Sequence, residues 1–112
     1  MTTITLVQLV APAQLAAADA VVYTSPTQTT SKIGRAVFTN TTASVVTITA
    51  GITPGTTLGA STTLISARSL APGESYVSPE LAGAVLPAGS ELRCYSNTAS
   101  AVTFTASGLI AQ

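Results

Sequence analysis

Val102-Thr-Phe-Thr-Ala-Ser107 decides the fold of this chain. Val102, Phe104 and Ala106 fall on one side of an extended backbone, and three hydroxyl-bearing residues fall on the other. Alternation with a period of two marks a half-buried strand. Val45-Val-Thr-Ile-Thr-Ala50 repeats the pattern, with Val46, Ile48 and Ala50 on one face. Threonine suits the outer face because β-branched side chains pack well on a pleated surface.

Further strands are predicted at 20–24, 32–40, 62–70, 74–78 and 90–96, and residues 3–10 read as another strand or as an extended arm. Turn residues lie between these runs: Ser25-Pro26, Asn40-Thr-Thr, Thr53-Pro-Gly, Pro72-Gly73, Pro87-Ala-Gly89 and Asn97. No 10-residue amphipathic helix is visible to serve as a parallel crossover. The expectation is therefore all-β: an antiparallel β-sandwich, jelly-roll or Ig-like, of seven or eight short strands. Residues 1–19 form an arm or first strand, and 20–112 form a single sandwich domain.

The stretch Leu70–Ser96 holds three of the four acids and the only cysteine. Its residues read as corner chemistry. Pro72 presets φ and Gly73 accepts a positive φ, so one strand ends at Leu70 and the next begins near Glu74. Ser78-Pro79-Glu80 reads as a cap, a first-turn proline and an acid at the start of a short helical turn near 79–84, which Gly83 ends. In the strand 90–96, Leu92 and Cys94 point one way, and Glu91, Arg93 and Tyr95 the other.

Composition excludes several functions. Of 112 residues, 7% are charged, with four basic and four acidic, against roughly 25% in typical soluble domains. Lys32, Arg35, Arg68 and Arg93 are scattered, so neither nucleic acid nor an anionic membrane surface is an expected partner. With no histidine, a His-based triad or general base is impossible. One cysteine supplies neither a zinc site nor an internal disulfide. Glu74, Glu80 and Glu91 each sit beside a turn, where a solvated or capping acid belongs, and no loop gathers the acids a calcium ion needs. Gly51–Gly59 lacks the lysine of a phosphate loop and reads as a surface loop. Asn40-Thr41-Thr42 matches a glycosylation acceptor, but so short a match is frequent by chance and a turn after Thr39 explains it. No catalytic residue, cofactor or metal is expected.

So few charges leave little repulsion between molecules, which favours association. Apolar residues also exceed what one core face takes. Val37 lies opposite Ala36 and Phe38 in its strand, and Ile4, Leu6, Val7 and Leu9 crowd the first segment. These five, with the outward trio Glu91, Arg93 and Tyr95, are the candidate interface residues.

The ordered pieces Pro12-Ala-Gln-Leu15, Tyr23-Thr-Ser-Pro26, Phe38-Thr-Asn-Thr-Thr-Ala43, Thr63–Glu74, Glu80-Leu-Ala-Gly83, Pro87-Ala-Gly89 and Val102–Gly108 resemble small virion proteins of tailed bacteriophages. The likeness covers roughly residues 10 to 110. It implies a β-sandwich structural component of the virion, of the capsid decoration or cement type. It also implies a homo-oligomer, with a trimer favoured, bound to the major capsid protein or other virion proteins. The location implied is the virion, on the capsid surface more than the tail, after assembly in the host cytoplasm. Residues 1–19 would then strap onto a neighbour. A tail or fibre-base component is the alternative within that resemblance. An extracellular adhesion or carbohydrate-binding module is the alternative outside it, and no motif carries any of these roles by itself.

Overall fold

The computed structural model describes residues 3–112. Nine strands follow one another: β1 (Ile4–Gln14), β2 (Ala20–Thr24), β3 (Thr30–Asn40), β4 (Val46–Thr53), β5 (Thr63–Leu70), β6 (Ser75–Val77), β7 (Val85–Leu86), β8 (Glu91–Ser96) and β9 (Val102–Ala111). They build two antiparallel sheets. One has the order β1-β9-β3-β6, with the short β7 also on β3, and the other has the order β2-β8-β4-β5.

The pairing has a simple logic. β1 pairs with β9, β2 with β8, β3 with β6, and β4 with β5. The first half of the chain thus pairs antiparallel with the second half in reverse order, and this long hairpin is rolled into two layers. That is jelly-roll topology, so of the two sandwich types expected, the Ig-like one is set aside.

Alternating residues fill the space between the layers. Ile33, Ala36, Phe38, Val102, Phe104 and Ala106 come from the five-stranded sheet, and Val46, Ile48, Ala50, Leu70, Leu92 and Cys94 from the other. Phe38 and Phe104 are directly opposed across β3 and β9, with ring centroids 4.6 Å apart and tilted by 36°. Such tilted aromatic pairs contribute about 0.5–1.5 kcal/mol beyond their buried area.

The corners work as their residues dictate. Glu74 N–H donates to the Ala71 carbonyl, and Gly73 sits at φ 74°, as a Pro-Gly turn requires. The Glu74 carboxylate also accepts from the Ala71 amide at 2.7 Å. At the second corner Ser90 N–H donates to the Pro87 carbonyl, with Gly89 at φ 83°. Ser78 is buried, and its Oγ accepts from the Leu81 amide. Ala82 N–H donates back to the Ser78 carbonyl, and Gly83 at φ 84° ends the turn. Residues 79–83 therefore make one capped turn, and no helix forms there.

Asn40, the potential glycosylation acceptor, is fully buried. Its Nδ2 donates to the carbonyls of Ser44, Leu70 and Ala71, and its Oδ1 accepts from the Thr42 amide and hydroxyl. The side chain ties the β3–β4 connection to the end of β5, so it is a structural pin and not a sugar acceptor.

Three strands run further than the sequence pattern implies, the first of them β1, which continues past Val10 to Gln14. β4 continues past Ala50 to Thr53, taking Gly51 into the strand. There a Cβ would overlap the Thr62 carbonyl and the Leu58 side chain. β9 continues past Ser107 to Ala111, where a Cβ on Gly108 would overlap the Lys32 carbonyl. Both glycines mark close approach of backbones within sheets.

Candidate assembly interface

Directly opposed residues in antiparallel strands share a face, so the register maps the outer surface of the five-stranded sheet. One row crosses four strands: Leu6 of β1, Leu109 of β9, Lys32 of β3 and Val85 of β7. Beside it runs Ile4, Ala111 and Thr30. On the other side come Gln8, Ser107 and Arg35, then Thr105, Val37 and Val77, then Thr103, Thr39 and Ser75. The surface is apolar at its β1–β9 corner, Lys32 separates that corner from Val85, and the other end is hydroxylated, where Thr39 and Ser75 hydroxyls meet at 3.0 Å. Leu6 is 83% exposed and Ile4 66%, while Val85 and Val77 are each about half exposed. Its basic groups are Lys32 and Arg35.

The candidate residues divide between two surfaces. Ile4 and Leu6 lie on this outer face. Val7 opposes Gly108 on the inward side of the same strand, near the sheet edge. Leu9 sits at a bulge between Gln8 and Val10 and packs partly against the core. Val37 is on the outer face but two strands from β1, half-buried beside Val77.

Glu91, Arg93 and Tyr95 lie on the outer face of the other sheet, opposed to Thr53, Gly51 and Thr49. Arg93 makes ion pairs there with Glu91 at 2.9 Å and Asp19 at 3.4 Å. Asp19 also accepts from the Leu58 amide at 2.9 Å. The 54–62 loop is thereby folded back over the strand and covers Gly51 and Thr53, which are both buried. These charges hold a loop in place, while Tyr95 remains half-buried at the margin.

The sequence pattern did not single out Leu109, Val85 or Val77 as surface partners of Leu6 and Val37. Leu109 follows Gly108, which reads as a strand stop, and Val85 belongs to a two-residue strand. Only the sheet register brings them together.

Other groups are satisfied structurally. Cys94 is fully buried, and desolvation, with the charge of Asp19 adding to it, pushes its thiol far above the ordinary range. A thiol in that setting is a packing residue. At the β5–β6 margin the Arg68 guanidinium stacks 3.9 Å from the centre of the Tyr76 ring, and the Tyr76 hydroxyl donates to Glu80. Desolvation and the Glu80 hydrogen bond raise the Tyr76 pKa, and that same bond lowers the Glu80 pKa. Among the described residues no group of three His, Cys, Asp or Glu side chains is placed to hold a metal, and no helix is long and apolar enough to cross a membrane.

No family model and no curated protein matches the sequence. Solved structures do match in fold. One is a structure of the Gx strain of infectious bursal disease virus, with a TM-score of 0.54 at 16% identity over 99% of this chain. Another is the VP2 subviral particle of the same virus, at 0.53 and 17% over 98%. A third is a crystal structure of that virus's particle, at 0.51 and 13% over 98%. This chain spans about a third of the length of each, namely 32%, 32% and 30%. These structures come from an animal virus, not from a tailed bacteriophage. What is shared is the fold: this chain is an antiparallel β-sandwich like one found in proteins of a virus particle.

Proposed function

We propose that the chain is a virion structural subunit, of the kind that decorates or cements a bacteriophage capsid. The observation that carries this reading is the outer surface of the five-stranded sheet. Ile4, Leu6, Leu109 and Ala111 form a contiguous apolar corner, with Val85 beyond Lys32, on a chain with few charges. Surfaces of that kind mark places where another molecule sits. The jelly roll shared with virus-particle proteins supports the choice of a viral partner, and the sequence resemblance to tailed-phage virion proteins supports a phage.

Such a subunit acts mechanically. It lies across joints between shell subunits and adds buried area to each joint. Specific docking needs about 1,200–2,000 Å² in total, and repetition over a lattice adds avidity. Particles lacking the chain are the test. Added back, the chain should bind them and raise the temperature at which they rupture. Leu109→Glu with Val85→Glu, which places opposite charges beside Lys32 and so should leave the fold intact, should abolish both effects. Binding to tails in place of shells would move the role to the tail, and binding to neither would refute a virion role.

A further inference from the structure

The sheet edges differ in how they are guarded. An exposed edge presents unpaired N–H and C=O groups, and natural edges are blunted by shortness, bulges, charge or proline. β2 has five residues and a bulge. β5 is bulged at Ala67, which has φ 48°, and carries Arg68. β6 and β7 have three and two residues. β1 is guarded only in its second half, by register shifts after Gln8 and after Val10 and by Pro12. From Ile4 to Gln8 it is uncharged and paired to β9 without interruption.

The backbone direction of that unguarded stretch is fixed. Thr3 and Gln112 exchange both N–H···O bonds, at 2.7 and 2.9 Å. Hydrogen-bonded and non-hydrogen-bonded pairs alternate along an antiparallel ladder. Thr5 and Val7 therefore bond to β9, while the N–H and C=O groups of Ile4, Leu6 and Gln8 face the open edge. The same three residues carry their side chains on the outer face.

We infer that Ile4–Gln8 pairs antiparallel with the same stretch of a second copy, about a two-fold axis at Leu6. Leu6 then opposes Leu6 of the other copy, and Ile4 opposes Gln8 in both directions. Every outward amide in the stretch is satisfied, and the Leu6–Leu109 row of the outer face continues as an apolar row into the second molecule. A copy of this chain fits this edge because the stretch is complementary to itself and neutral. Lys32 sits two strands in, so its counterpart lies five strand spacings away, about 24 Å. That exceeds the Debye length of about 8 Å at physiological salt, so like charges do not oppose the contact. The contact is isologous and self-limiting. This inference rests on the assembly reading above and names a partner for the strand edge that borders that surface.

Sedimentation of the full chain over a range of concentrations tests it. The native chain should pass from one to two copies with rising concentration. Leu6→Pro removes an N–H that β9 does not use, so the fold should survive and self-association should weaken about tenfold or more. Leu6→Lys, at an exposed site, should weaken it similarly by bringing two charges together. Leu6→Cys should give a covalent dimer on oxidation, because directly opposed residues fall within disulfide reach and Cys94 is buried. If Leu6→Pro proves unfolded, the Lys and Cys variants decide. A single copy at all concentrations, or association unchanged by Leu6→Lys with no cross-link through Leu6→Cys, overturns the inference. A chain that binds particles yet never self-associates overturns this pairing alone. One that pairs through β1 but has no place in particles overturns the virion reading alone.

Discussion

Replacing Asn40 with alanine removes the pin between the β3–β4 connection and the end of β5. The native amide reaches three carbonyls at 2.7, 3.1 and 3.1 Å, and of these bonds the one to Leu70 is fully buried. The Leu70 acceptor loses its side-chain partner where water does not reach, a cost of about 1–3 kcal/mol. The bonds to Ser44, Ala71 and Thr42 are only partly buried, so water replaces them in part and they add about 1 kcal/mol together. The expected loss is about 2–4 kcal/mol, a large share of the roughly 5–15 kcal/mol that holds a domain of this size together. The corresponding fall in Tm is roughly 8–16 °C. Urea unfolding should show a lower midpoint with an unchanged slope, since the area exposed on unfolding is the same. Asn40→Asp should be at least as damaging near neutral pH, because it faces the same carbonyls with a carboxylate that cannot donate. A loss below about 0.5 kcal/mol for Asn40→Ala, the range of ordinary surface changes, would refute the reasoning.

Gly108→Ala should cost more than about 2 kcal/mol or push β3 and β9 apart, since its Cβ would overlap the Lys32 carbonyl; thermal unfolding reads the loss. Gly89→Ala, at φ 83° with open space around it, should cost only about 1–2 kcal/mol from backbone conformation, a contrast the same melt shows. Asp19→Ala should leave global stability within about 1 kcal/mol yet speed hydrogen exchange at the Leu58 amide, because the carboxylate that holds the 54–62 loop is gone. Glu80 has a lowered pKa in the fold, so its contribution is present above its unfolded value and lost as pH falls through the folded one. The raised pKa of Tyr76 acts oppositely, with a contribution present below its unfolded value and lost as pH rises through the folded one. Tyr76→Phe should flatten both limbs of a stability–pH curve, and by little, because both groups are largely solvated.

The local grammar of the chain was readable. Alternation found the cores of β3, β4, β8 and β9, and Pro72-Gly73 and Pro87-Ala-Gly89 found the corners, because these signals act over two to four residues. The alternation ends before Gly51 and Gly108 although both strands continue, because a strand glycine and a turn glycine look alike until a neighbouring backbone is in place. β7 is too short for any period to register. Partnership was out of reach for a different reason. In a rolled hairpin the contacts are long-range: Asp19 meets Arg93, and Leu6 meets Leu109. Glu91 and Arg93 read as an outward pair, and only the fold shows Arg93 held between Glu91 and Asp19, whose carboxylate also holds the folded-back loop.

A virion role requires the outer face of the five-stranded sheet to be a contact surface. A side-chain-resolution map of the intact particle measures this most directly. Leu6, Leu109 and Val85 should be covered by a neighbouring chain. A face bare to solvent in the particle, or a particle with no place for the chain, would contradict that role.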